Sequence, residues 1–422
     1  MRALLLLVLA SCTHDLAVYD RITVKPARDL DILYVFDDSF DRGSFAKMAS
    51  QLDVLQARLM DVDGQLPDLH VGVTTTDLGT RGAKDPLARP AFDNCAGDGN
   101  AARLVSFGSG IPSRGYLEDL RGPDGTRDRN YGSGELGLEL ARLTNPAPGT
   151  ANTGCDFVQP LEAMRRALDP FTNPDFIRPN ALLSVVFLTN DDDCSMARGA
   201  MLDPNNAALG PLSTFRCVEQ GVICDGDADP RSPGVRTNCR PREGSQFMVD
   251  VSEYTKFLQQ YKADPRDVTV SAVVGARDPF EVRNVGVPWV APSCQGAVGA
   301  AKPAVRLGSF VDSLGGVIVD ACTQEAAYEK ITAPILNRQR SCFPDLRQDD
   351  GEDCVVTETI LNGGGQTEFP RCADGGGGPT PCWYTYADQA ACPGGDHVGI
   401  AIRRGNTTAP ARSRVEATCF VK

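Results

Sequence analysis

The sequence predicts an α/β fold, a doubly wound and mostly parallel sheet flanked by helices, and three observations point to it. Two uncharged apolar runs, residues 32–36 and 181–188, are rich in β-branched, aromatic and leucine side chains. Such runs read as strands buried on both faces, the habit of a parallel sheet covered by helices. Strand-like and helix-like periodicities then alternate as far as about residue 340. Beyond it the composition turns to glycine and cysteine, which predicts a small Cys-rich, β-rich domain over 341–422, since so poor a core needs covalent help.

Met1 to Ser11 carry one positive charge, an apolar run and then small residues, which predicts a secretory signal too short to span a bilayer. Residues 12–28 follow as a polar tether. The strand at 32–36 ends in Asp37, Ser39 and Asp41, two apart, so in extended chain their side chains share one side outside the strand's carboxyl end. Residues 44–60 place Phe45, Met48, Leu52, Leu55 and Leu59 on one helical face with Ser44 as cap, and 69–74 read as the next strand, with His70 a paired strand histidine. From 77 to 135 the pattern dissolves into Gly, Pro, Asn and Asp, an insertion pinned by Cys95 and holding short hairpins such as 102–107. Helices are expected at 135–143 and after Asp156, which would cap a face of Phe157, Leu161, Met164 and Leu168.

The run at 181–188 is the strongest strand and ends in Thr189-Asn-Asp-Asp-Asp-Cys194. A disulfide-bearing insertion is expected at 195–246. Asp250 and Glu253 form a capping box for a helix to Tyr261, followed by a strand at 268–274 and a Pro-rich loop at 276–302. Pro303 opens a helix to Val311, 317–319 is a short strand, and Thr323 caps a last helix that Pro334 should kink or end. The α/β domain with its insertions therefore covers 29–340.

The chain has 15 cysteines. With Cys12 set aside, those before residue 340 and those after it are both even in number, as expected if each part closes its own disulfides in an oxidising compartment. Neighbours are expected to pair: Cys194 with Cys217, Cys224 with Cys239, Cys294 with Cys322. Structural zinc is disfavoured, because there is no Cys-x-x-Cys and there are only three histidines. A balance of 42 basic against 55 acidic residues, net −13, without a Lys/Arg stripe, argues against a nucleic-acid partner. No Gly-x-Ser-x-Gly, His-Glu-x-x-His or phosphate-binding Gly-rich loop occurs, so the expectation is not an enzyme. Asp225 to Asp229 alternate as in a calcium loop, but Pro230 and Arg236 stand where glycine and a bidentate glutamate are needed, leaving a solvated turn.

Leu9-Ala10-Ser11-Cys12 resembles the bacterial lipobox, which implies cleavage before Cys12 and lipidation there, and makes the lipid the membrane anchor. Thr13 after it resembles the sorting signal for the outer membrane. Asp37-x-Ser39, with Asp41 in place of a final serine, resembles the first cation loop of the von Willebrand factor A family. The resemblance covers about 29–338 and implies a binding module whose divalent cation, Mg²⁺ or Ca²⁺, is held by Asp37, Ser39 and Asp41, by Thr153, and by the loop after the central strand. There Asn190 replaces the family's aspartate and Asp191 follows it. It further implies a protein partner that offers an acidic side chain to the cation. Asp41 adds charge that strengthens cation capture, whereas Asn190 removes one charge and keeps a carbonyl oxygen. The competing expectation is a metal-independent envelope scaffold using the same fold, with its contacts on the insertions and the Cys-rich tail.

Overall fold

The computed structural model describes residues 18–22, 29–39, 66–83, 85, 95, 97–105, 115–121, 126–132, 136–144, 154–179, 181–226, 229–296, 299–323, 327–339, 342–343, 354–360, 365–373, 378–387, 398–405, 407 and 413–421. The expected helix at 44–60 lies outside them. By its contacts the chain divides into two units, Ala27–Gln339 and a second made of Met1–Pro26 with Arg340–Lys422.

The larger unit is built on a seven-stranded mixed sheet in the order Val317–Asp320, Val268–Val274, Leu182–Leu188, Leu30–Phe36, Leu69–Thr75, Tyr116–Arg121, Arg127–Arg129. The first five run parallel, and the last two pair antiparallel. The Gly- and Asp-rich insertion at 77–135 thus supplies an antiparallel edge, where the sequence predicts hairpins alone. Ala101 and Ala102 form a turn with positive φ, and residues 106 and 107 of the expected hairpin lie outside the described residues.

Every residue of Leu30–Phe36 and of Leu182–Leu188 is buried, which is why these runs carry no charge apart from Asp31. Alternate side chains serve two cores. Ile32, Tyr34 and Phe36 pack with Leu136, Leu140 and Leu143 of the helix Leu136–Thr144 and with Ile331 and Ile335 of the helix Ala327–Gln339. Leu33 and Val35 pack with Leu161 and Met164 of Pro160–Ala167, Tyr254 and Leu258 of Val251–Gln259, and Leu307 and Phe310 of Val305–Ser313. Each fully buried side chain of this size contributes about 1.5–3 kcal/mol, so the two cores hold the sheet far more firmly than any surface contact.

Several local expectations give way to packing. The helix Ala327–Gln339 is not ended by Pro334 but continues through it, with Ile331 and Ile335 on either side both buried in the core. The helix after Asp156 starts later, at Pro160; Asp193 Oδ1 accepts from Leu161 N and Ser195 Oγ from Glu162 N, so its first turn is satisfied from another part of the chain. Asp250 precedes its helix as expected, but its carboxylate accepts from Gly244 N and makes no capping bond. Residues 276–302 hold two antiparallel hairpins, Phe280–Asn284 with Pro288–Val290 and Cys294–Gly296 with Gly299–Ala301, where a loop is predicted. Asp229 accepts from Ser232 Oγ and Arg231 N, as befits a turn.

The pairs Cys194–Cys217, Cys224–Cys239 and Cys294–Cys322 form as expected, and Cys95 is bonded to Cys155. In the second unit Cys354–Cys419 and Cys372–Cys382 staple a small core of Val356, Phe369, Trp383, Ile400, Val415 and Ala417. Its four-stranded sheet includes Val18–Ile22, paired antiparallel with Ser413–Val421. Part of the predicted tether is therefore a strand.

Candidate functional site

The site follows from register. Leu30–Phe36 pairs with Leu182–Leu188 so that Phe36 faces Leu188, and the backbone bond from Asp37 N to Leu188 O (2.9 Å) carries the pairing one step past both strands. Asp37 and Thr189 therefore emerge side by side at the carboxyl ends. This is also where the sheet order reverses, since the chain passes from Leu30–Phe36 to Leu69–Thr75 on one side while Leu182–Leu188 lies on the other. Open α/β sheets place their ligands at such a crevice.

Asp37 is fully buried. Its Oδ1 accepts from Ser39 N (3.0 Å) and Ser39 Oγ (2.7 Å), and its Oδ2 from Thr189 Oγ1 (2.6 Å). Burial pushes its carboxyl above the ordinary range, the charge on Asp191 adds to the rise, and the bonds from Thr189 and Ser39 oppose it. Thr189 Oγ1 also accepts from Asp191 N (3.0 Å) within its own loop, while its bond to Asp37 ties the two loops together. Gly154 N donates to Asp38 O (3.3 Å), and a side chain at 154 would collide with Asp38 Oδ1, so the loop before the helix Pro160–Ala167 reaches the same rim. Of the expected site residues, Asp37, Ser39, Asn190 and Asp191 are gathered there; Asp41 and Thr153 lie outside the described residues, as does Cys12.

The run after Thr189 does three different jobs. Asp191 holds Lys302, whose Nζ is 2.7 Å from Oδ1 and 2.9 Å from Oδ2. Asp192 accepts from Val305 N, Arg306 N and Leu307 N (each 3.0 Å), capping the helix Val305–Ser313 from outside it. Asp193 is buried against Arg306, with Oδ2 accepting from Nε (3.1 Å) and Nη2 (3.0 Å). Burial lowers the basicity of the Lys302 ammonium, but Asp191, and behind it Asp37 and Asp156, outweigh that, leaving its pKa above the ordinary lysine value. Lys302, Arg306 and Thr189 were not among the predicted site residues. Lys302 and Arg306 have no local signal, because their partners lie more than a hundred positions away in sequence; Thr189 could have been found from the strand-end position it shares with Asp37.

These residues can be tested against the cation that the family resemblance implies. Asn190 Oδ1 is a buried acceptor with no hydrogen-bond partner, and a hard cation would suit it. The bonds that the carboxylate oxygens already make count against one. Both oxygens of Asp191 face an ammonium, and both oxygens of Asp37 accept from hydroxyl or amide donors. A divalent ion at the rim would be drawn by the carboxylates of Asp37 and Asp191, but Lys302 cancels one of those two charges and already occupies both oxygens of Asp191. The described residues do not fit a resident divalent ion while Lys302 stands there. The described cluster Cys294, Asp320 and Cys322 offers no site either, since its two sulfurs are bonded to each other.

No protein-family profile matches the chain, and no curated protein matches it. Among solved structures it is similar to proximal thread matrix protein 1 from the mussel byssus, at 9% identity and a TM-score of 0.30, over 76% of this chain and 51% of that one. It is similar also to the pilus adhesin SpaC from Lactobacillus rhamnosus GG in its open conformation, at 10% identity and a TM-score of 0.32, over 94% of this chain and 39% of that one. A von Willebrand factor type A structure from Catenulispora acidiphila aligns at 10% identity and a TM-score of 0.26, over 98% of this chain and 67% of that one. The chain spans about half of the first and about two fifths of the second.

Proposed function

We propose that this is a lipid-anchored protein of the bacterial cell envelope, fixed to the outer membrane through Cys12, whose A-type domain binds another protein at the rim of its sheet. The supporting observation is the convergence of the Asp37–Ser39 turn with Thr189, Asn190 and Asp191 where the strand order reverses. Binding suits this rim better than catalysis. His70, the described histidine, sits at the opposite end of the sheet with Nδ1 2.7 Å from Phe176 O, and the hydroxyls of Ser39 and Thr189 are engaged as donors to Asp37. No helix among the described residues is long and apolar enough to cross a membrane.

The scaffold reading draws on a different place. Val285, Val287 and Trp289 are exposed around the hairpin Phe280–Asn284 with Pro288–Val290, an apolar tip on one of the irregular segments.

A photo-cross-linking side chain at position 39, compared with one at position 171, separates the two. Phe171 is exposed and precedes the central strand instead of following it. The rim reading predicts a discrete adduct with an envelope protein from position 39 and none from position 171. Adducts equal at both positions, or absent at 39 while present from position 289, would remove the rim as the contact surface.

A further inference from the structure

We propose that Lys302 is this site's own cation: its ammonium stands against Asp191 at the strand ends in the place of a divalent ion, so the rim engages its partner without metal. The inference rests on the rim reading above and adds what balances its charge.

The backbone around Lys302 is fixed from several directions. Lys302 N donates to Asn190 O (2.8 Å), and Asn190 Nδ2 donates to Ala300 O (3.4 Å). The preceding hairpin, Cys294–Gly296 with Gly299–Ala301, is closed to the neighbouring strand end by Cys294–Cys322. Gly275, which follows the strand Val268–Val274, bridges to Pro303, and a side chain there would run into Lys302 O. A four-carbon stem leaving this point carries its ammonium to Asp191, 111 residues away in sequence, and meets both carboxylate oxygens.

The ammonium does what a cation would do here. It offsets the charge of Asp191, with Asp37 and Asp156 close enough to feel it. The Lys302 side chain is 37% exposed and that of Asp191 is 18% exposed, so an arriving partner meets a lysine–carboxylate pair and not an electrophilic ion. Such a pair recognises polar groups by hydrogen bonds in both directions, and nothing in it answers to a chelator.

The test is a calorimetric titration of Mn²⁺, at millimolar ion, into the full chain and into Lys302→Met, which keeps the stem and removes the charge. The unaltered chain is expected to show no saturable uptake. Lys302→Met is expected to gain it, binding roughly tenfold or more tighter once the competing ammonium is gone. Saturable uptake by the unaltered chain that disappears in Asp191→Asn overturns the proposal, and so does a folded Lys302→Met that takes up no ion. Should Lys302→Met fail to fold, Lys302→Gln stands in for it under the same two outcomes. Cross-linking from position 39 reports on the rim reading independently, so loss of the adduct leaves the titration result standing, and the reverse.

Discussion

Asp193→Ala is expected to destabilise the larger unit by about 3–5 kcal/mol, the usual consequence of removing one partner from a buried ion pair. Asp193 and Arg306 are both fully buried, and the carboxylate serves four donors on three segments: Nε and Nη2 of Arg306, Leu161 N, and the hydroxyl of Ser195. Alanine would leave the guanidinium with only carbonyl acceptors, chiefly Val249 O at 2.7 Å, and would orphan Leu161 N in the first turn of Pro160–Ala167. The charge left behind dominates the loss. Asp193→Ala combined with Arg306→Met should therefore recover part of it, since apolar replacement of a whole buried pair is often close to neutral. Denaturant midpoints with the disulfides intact measure both variants. A single-variant loss below about 1 kcal/mol would mean that Arg306 is solvated or paired elsewhere.

The second large effect is one of pH. Burial raises the Asp192 carboxyl from 3.8 to about 6, although the Arg306 and Leu307 amides pull the other way. The folded chain thus holds this proton at pH values where the unfolded chain has released it, so stability from this group is greatest below about pH 4 and falls as pH rises through about 6. The gap, at about 1.4 kcal/mol for each pH decade, amounts to at most about 3 kcal/mol, and the partial exposure of Asp192 lowers that. Asp192→Asn keeps an acceptor for the helix end and removes the titration. The stability of Asp192→Asn relative to the unaltered chain should rise between pH 4 and pH 7, and parallel curves would contradict the assignment.

The contrast between Asp191, Asp192 and Asp193 explains what was legible in the sequence. The strands around them were readable because burial on both faces writes itself locally, as an unbroken apolar run at Leu182–Leu188 and an almost unbroken one at Leu30–Phe36. The disulfides Cys194–Cys217 and Cys224–Cys239 were readable for a similar reason, since they close short loops. The three carboxylates were readable only as acid. What separates a lysine's partner, a helix cap and a buried counter-ion is supplied by residues 302 to 307, which the chain brings back only after the strand Val268–Val274. Asp156 failed as a cap on the same ground, because Asp193 and Ser195 satisfy that helix from afar. The antiparallel pair Tyr116–Arg121 with Arg127–Arg129 was hidden in a polar insertion; Arg127–Arg129 is the edge and has one neighbour fewer to demand an apolar pattern.

Pairing between the turn after the first strand and the loop after the central strand underlies the rim, its charge and its proposed use. A double-mutant cycle on Asp37→Asn and Thr189→Val, read from unfolding in denaturant, tests it most directly. The 2.6 Å bond between their side chains predicts a coupling of about 1 kcal/mol or more. Effects that add to within about 0.3 kcal/mol would mean that the two loops do not meet.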